Sequence, residues 1–539
     1  MVKNFLSLVL TIFIISCSST KTADEQGVLR AFVQNGEYQK SLDELEKIKA
    51  YKKENTKLLY YLEKGLALHL QGKYEESLKA LDAAKEIHKS LYTESISKKL
   101  EAFVINDSSD NYYGETYERS LIHFYLSLNH LLLYQKSQNQ EVNQLFSSRA
   151  EVMAWDSYLK EQIGEKRGQI FFKNDLMAKV YGALIHEMIS SREDNQIALH
   201  LYQDAKDLLF RNYNSYPSFN RKFREFNENF KKLPDMNEEE IRKRWVEETI
   251  YQRELKKFLA SKISNLTKEL KRGSNKNTPE NSSISILLER GIIPQKQAKE
   301  IYFPLSSFLY ANPNDSISIN VNNYGSDDIF QYAQNNLGFK RMPSDYTYVG
   351  ENGYSTRNPF SSDLAINFEV PVLKSNSHEE KMELAIFDNK GKEIKKENLF
   401  LISPIGDIAQ NALEENEPAR NLRIGLRLAS KYLAVIVSSY ATYNALKKST
   451  SPGLASFLAL TEFYLATKVI ESLEKADLRF WSTLPQNIYF SNIQLPSGNY
   501  QIKLNIENLK TGELNTRTLG DLKVDNNQNK KIAKFRIPD

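Results

Sequence analysis

The chain has 539 residues, with 72 Lys and Arg against 68 Asp and Glu, a formal net charge of +4. That balance lacks the basic surplus of a nucleic-acid protein, and the single cysteine, Cys17, leaves no pair for an internal disulfide and no thiolate cluster for a metal. The length suffices for two or three domains whose cores rest on packing alone.

The first element reads as an export signal. Lys3 supplies a positive start, Phe5 to Ile15 is almost unbroken apolar, and Ile14-Ile15-Ser16-Cys17 has the apolar, apolar, small, cysteine order of a bacterial lipobox. The run is shorter than the roughly 20 residues of a permanent span and has the length of a signal-peptide core. We expect residues 1–16 to be removed and Cys17 to carry the acyl chains. An ordinary secretory signal is the competing reading. Ser18 rather than Asp follows the cysteine, which favours the outer membrane, and residues 17–27 read as a flexible lipidated tether.

Residues 28–273 carry helical spacing. Gly36-Glu37-Tyr38 is followed by Ser41, Leu45 and Ile48, and 36 residues later Gly72-Lys73-Tyr74 is followed by Ser77, Leu81 and Ala84. Tyr61, Gly65 and Leu68 precede the second turn. The pattern resembles a tetratricopeptide repeat (TPR). Its glycine permits the turn between two helices, and the small residue five positions on permits their close approach. Ala198, Tyr202 and Ala205 fit a looser third copy. One helix pair cannot bury its apolar face alone, so such units stack as an α-solenoid; an irregular bundle is the alternative. Gly114 to Leu121 leads into an apolar helix, Ile122 to Leu133. Asn237, with Glu240 three residues on, signals the cap of one long helix through Ile241, Trp245, Leu255, Leu259, Ile263, Leu266 and Leu270, closed by Lys271-Arg272-Gly273. Residues 274–283 are polar and read as a linker.

From 284 to 539 the period changes. Ser316 to Val321 alternates strictly, as do parts of Asp363 to Leu373 and Lys381 to Phe387; Asp388 to Gly391 is a hairpin turn signal. A second β stretch runs from Asn487, through the turn Leu495 to Tyr500, to the closing strand at Lys531 to Ile537. Together these predict an antiparallel β-sandwich. Residues 405–475 interrupt it with a helical hairpin, broken at Ser451-Pro452-Gly453. The fold class is therefore α+β multidomain, with a TPR-like solenoid ahead of the sandwich.

Two segments, Gly114-Glu115-Thr116-Tyr117-Glu118-Arg119 with Phe124 to Asn129, and Ala476-Asp477-Leu478-Arg479-Phe480-Trp481-Ser482-Thr483-Leu484-Pro485 with Leu495 to Tyr500, together with a looser one from Ala419 to Tyr432, resemble a family of uncharacterised TPR-containing lipoproteins of Gram-negative bacteria. The resemblance spans nearly the whole mature chain. It implies an envelope role with a link to peptidoglycan synthesis, and it supplies no activity and no catalytic residues.

His123 and His130 share one helix face but lack a third ligand nearby, so core or interface roles outweigh a metal. His186-Glu187 lacks the second His of a zincin. Glu115, Glu118 and Arg119 at a helix start suit the helix dipole and an i, i+4 pair, or docking of a partner or of the β part. Asp477, Arg479 and Trp481 lie where the insertion returns to the sheet, as a buried pair beneath a Trp would. Lys431, Asn444, Glu462 and Lys468 interrupt the apolar insertion, favouring a packed hairpin over a span. We expect a non-enzymatic, outer-membrane-anchored periplasmic adaptor that holds a segment of another envelope protein on its concave helical surface, without cofactor, metal or nucleic acid. Self-association is open to it. The alternative is a membrane-active or pore-associated lipoprotein working through the insertion.

Overall fold

The computed structural model describes residues 19–98, 110–165, 175–230, 237–272, 282–304, 309–311, 317–319, 365–375, 379–415, 417–446, 448–525 and 530–538. Cys17, residues 273–281 of the helix end and linker, and the stretch from Tyr332 to Pro359 lie outside them. The described chain is mixed helix and strand.

Helices come first, in adjacent pairs: α1 (Ser19–Gln34) with α2 (Tyr38–Leu45), α3 (Lys57–Leu70) with α4 (Tyr74–Lys98), α5 (Thr116–Lys136) with α6 (Val142–Glu165), and α7 (Leu176–Ile189) with α8 (Arg192–Arg211). A left-handed residue stands in each turn: Gly36 (φ 71°), Gly72 (φ 76°), Asn139 (φ 66°) and Ser190 (φ 61°). The two glycine turns share one bonding pattern. Gly36 N donates to Val33 O and Glu37 N to Phe32 O; Gly72 N donates to His69 O and Lys73 N to Leu68 O. Such bonds satisfy the last carbonyls of a helix. Ala198, Tyr202 and Ala205 are fully buried on α8, where the Tyr202 hydroxyl donates to Glu187 of α7 at 2.5 Å.

Close approach within the second pair depends on Gly65. A Cβ there would lie 2.5 Å from Leu81 Cδ2 and 2.6 Å from its Cγ, and Leu81 is fully buried. The Ser77 hydroxyl donates to Gly65 O at 2.6 Å across the same contact. Gly65→Ala therefore overpacks the pair and costs about 1–3 kcal/mol despite the better helix propensity of Ala; equilibrium unfolding in urea reads it, and an unchanged midpoint would contradict the contact.

Two expectations for the helical part change. The tether is helical from Ser19, and its Gln26 is buried, donating to Phe480 O at 2.9 Å; a tertiary anchor fixes a segment that composition alone leaves loose. The long helix is two, α10 (Glu238–Trp245) and α11 (Ile250–Arg272), after a short α9 (Phe223–Phe230). Asn237 does cap α10, accepting Glu239 N at 2.7 Å. Beyond Trp245 the backbone finds partners outside a helix: Asn220 Oδ1 accepts Glu247 N at 2.9 Å, Asn220 Nδ2 donates to Trp245 O at 3.0 Å, and Thr249 N donates to Phe219 O at 3.2 Å.

Among the described residues eleven strands follow: β1 (Ser282–Arg290), β2 (Gln297–Pro304), β3 (Leu309–Ala311), β4 (Ile317–Ile319), β5 (Ala365–Val372), β6 (Glu380–Phe387), β7 (Glu393–Ser403), β8 (Asn487–Leu495), β9 (Gly498–Asn508), β10 (Leu514–Val524) and β11 (Lys530–Ile537). Seven form one sheet in the order β10-β9-β6-β7-β8-β1-β11, and β2-β5 and β3-β4 form two small ladders. Ser282 and Ser283, read as linker, already belong to β1, paired with Leu495 and Gln494 of β8. All sheet pairings are antiparallel except β1 with β11, which is parallel. The sheet curls. Flat, its outer strands would stand about 29 Å apart; instead Lys531 Nζ on β11 donates to Lys523 O on β10 at 2.8 Å. The free edge of β11 is capped by Gln135 of α5, which donates to Ile532 O at 3.0 Å and accepts Ile532 N at 2.7 Å.

A single hydrophobic cluster joins both halves, from Leu62, Phe124, Tyr181 and Leu259 of the helices to Leu287, Leu401 and Ile502 of the sheet. The insertion comprises α12 (Ile405–Glu415), α13 (Glu417–Leu446) and α14 (Pro452–Leu473), with Ser451 capping α14. A separate cluster of Ile424, Leu428, Tyr432, Phe463 and Ile470 seats α13 and α14 on Phe368 and Val370 of β5. The Arg427–Glu474 ion pair, 2.8 Å and almost fully buried, locks their base.

Candidate functional site

The helix face turned toward the sheet holds an irregular segment of the chain itself, Arg479 to Thr483. Gly114 (φ 71°) turns the chain into α5, and Glu115 caps it in extended conformation. Glu118, one turn in, accepts Glu115 N at 2.8 Å and the Tyr112 hydroxyl on Oε2. This reciprocal cap draws Glu118 inward, where Oε1 accepts Trp481 N at 2.7 Å. On α3, Glu63 Oε1 accepts Ser482 N and Ser482 Oγ, both at 2.7 Å, and Oε2 accepts the Thr483 hydroxyl.

Four of the segment's five carbonyls are met by side chains as well. Gln26 donates to Phe480 O at 2.9 Å, Arg30 to Ser482 O at 2.8 Å, and Arg536 of β11 to Thr483 O at 3.1 Å. Lys296 donates to Arg479 O at 3.1 Å and pairs with Glu115 at 2.9 Å. The Arg479 guanidinium pairs with Asp477 at 2.8 Å and donates to Asn55 O at 3.3 Å and Asp110 O at 3.0 Å. The Trp481 ring is fully buried, 5.8 Å from that of Tyr125. Helical side chains thus bind the backbone of this segment.

Electrostatics follow from burial. The Lys296 ammonium holds Glu115 below the usual carboxylate range, whereas burial raises Glu118. Burial also pushes Glu63 up to about 7, against the pull of its Thr483 and Ser482 bonds. A carboxyl whose folded pKa lies above its unfolded value of 4.5 contributes stability that is full below pH 4.5 and lost as pH rises through 7. The difference in unfolding free energy between the native chain and Glu63→Gln therefore shifts toward the native chain by about 3 kcal/mol as pH falls from 8 to 4.5. Denaturant unfolding at the two pH values reads it, and a pH-independent difference would contradict the assignment.

Of the residues singled out by sequence, Glu115, Glu118, Asp477, Arg479 and Trp481 meet in this one place. Arg119 does not join them: it donates to Thr116 Oγ1 at 3.1 Å and lies 5.9 Å from the Tyr158 ring, while the ion pair expected of it with Glu115 goes to Lys296 instead. His123 and His130 both face α6, bonded to Glu151 at 2.8 Å and Gln144 at 2.6 Å. Gln26, Arg30, Asn55, Glu63 and Lys296 were not foreseen. Glu63 had a signal: it shares the buried face of Leu59, Leu62 and Leu66, where a carboxylate needs partners.

A second surface stands apart from this junction. The outer side of α14 exposes Leu454 (48%), Leu458 (40%), Leu465 (50%) and Tyr464 (58%), an apolar stripe at helical spacing. Among the described residues no helix is long and apolar enough to cross a membrane. Comparison with protein-family models, curated proteins and solved structures gives no match to this chain.

Proposed function

We propose that the protein is a non-enzymatic adaptor of the cell envelope, an outer-membrane lipoprotein tethered through Cys17 on the periplasmic side and tied to peptidoglycan synthesis. In this reading the helical half is an α-solenoid of TPR-like units and the β half a sandwich interrupted by the hairpin. The shared turn bonds at Gly36 and Gly72 support the first; the curl of the sheet supports the second. The observation that carries the adaptor reading is the stripe on α14. The face of α3 and α5 that a peptide would use is filled by Arg479 to Thr483, so the apolar surface left for a partner protein is on the hairpin. The same stripe suits a membrane-active role, and the test separates the two.

A photo-crosslinking residue in place of Leu458, in intact cells, is expected to capture one discrete envelope protein, and Leu454→Asp with Leu465→Asp is expected to abolish that product. Lipid adducts alone would transfer the assignment to membrane action; self-crosslinks alone would replace the adaptor with an oligomer. In the same cells Cys17→Ser is expected to move the protein from the membrane to the soluble fraction, and retention would contradict the anchor.

A further inference from the structure

A cavity of about 450 Å³ opens where three parts of the fold meet: the Gly72 turn between α3 and α4, the start of α2, and the facing edge strands β10 and β11. Its wall includes Arg517, Lys534 and Arg536 and no carboxylate. Tyr38, Tyr74, Leu70, Leu519 and Phe535 line the rest. The volume lies in the range of small-molecule sites.

The polar wall is built, and it is under-satisfied. The Arg536 side chain is only 4% exposed, paired with the fully buried Glu289 at 3.2 Å, and its Nε has no hydrogen-bond partner among the described residues. Among the same residues Gln71 Nε2, also buried, has none either. A buried donor left unpaired costs about 1–3 kcal/mol, so each calls for an acceptor, which a water or a bound anion would supply. Lys534 Nζ lies 2.7 Å from His69 Nε2, and the His69 ring is held in turn by Asn129 at 2.5 Å. Burial, with Arg536 adding to it, pushes Lys534 down to about 8 and burial pushes His69 to about 3, so the imidazole is neutral and accepts from the ammonium. Glu289 is one negative charge behind two cations, and Arg517 has no ion pair among the described residues. The β10 ladder shifts register between Thr518 and Gly520, a bulge of the kind that re-aims side chains beside binding sites, and Thr518 and Leu519 are on the wall.

We propose that this cavity is a binding site for a small organic anion, whose carboxylate or phosphate group meets Arg517, Lys534 and Arg536 while its carbon frame lies against Tyr38, Tyr74 and Phe535. The cations supply charge-assisted bonds, and the aromatic rings supply apolar area beside them. A ligand here would touch the first two helix pairs and both edges of the sheet at once. The site is independent of the partner surface on α14.

Isothermal titration of the full chain in detergent tests this with phenyl phosphate, benzoate, inorganic phosphate and the neutral benzyl alcohol. One organic anion is expected to bind one-to-one, more tightly than inorganic phosphate, with benzyl alcohol silent; phenyl phosphate ahead of benzoate assigns a phosphate ligand, the reverse a carboxylate. Arg517→Gln, at a half-exposed position, is expected to weaken binding about tenfold with an unchanged unfolding midpoint. Lys534→Met is the second variant. Absence of anion binding at millimolar concentration, inorganic phosphate binding as tightly as phenyl phosphate, or affinity unchanged in both variants would overturn the proposal.

Discussion

Replacing Glu118 with Ala lowers the unfolding free energy by about 3 kcal/mol or more, while Glu118→Gln costs about 1–2 kcal/mol. The carboxylate accepts three donors, Trp481 N, Glu115 N and the Tyr112 hydroxyl, and it is fully buried. Alanine orphans all three and leaves Lys296 with one fewer counter-charge. Glutamine keeps the volume and one acceptor oxygen. The ordering of the variants carries the diagnosis: a merely space-filling Glu118 would make Gln nearly neutral, and a solvated one would make both neutral. Urea unfolding followed by far-ultraviolet circular dichroism measures it.

Trp481→Ala is expected to cost about 3–5 kcal/mol. Its ring is fully buried in the cluster that joins α5 to the sheet, against Tyr125, which itself packs on Phe124 at 4.9 Å. Trp481 Nε1 has no hydrogen-bond partner among the described residues, so Trp481→Phe loses area and none of these bonds, and costs about 1 kcal/mol. A Phe variant as damaged as Ala would show that the indole nitrogen matters, contrary to this packing.

Local features were readable in the sequence because local chemistry dictates them. The Gly36 and Gly72 turns need a left-handed residue, and both have one. Asp388 to Gly391 forms its hairpin, with Asp388 Oδ1 accepting Lys390 N and Lys392 N at 2.9 Å. Ser451 and Pro452 part α13 from α14 as their cap and first-turn chemistry demands. Long-range choices were not readable. Alternation along a strand tells which face is buried, not which strand lies beside it, so the parallel placement of β11 and the curl of the seven-stranded sheet had no signature. The break at 246–249 depends on Asn220, and the ordering of Ser19 to Gln26 depends on Phe480. Glu118 and Trp481 each stood out within a motif, yet they meet across 363 residues.

The chain fills its own helical face with Arg479 to Thr483. Hydrogen exchange at the Trp481 and Ser482 amides tests it most directly. Neither residue is in a helix or strand, so slow exchange there requires the acceptors Glu118 and Glu63. Protection comparable to the core strand β8 is expected, lost at Trp481 in Glu118→Ala and at Ser482 in Glu63→Ala. Amides exchanging as fast as those of an exposed loop in the native chain would mean the segment does not occupy the face, and that face would again be open to a partner.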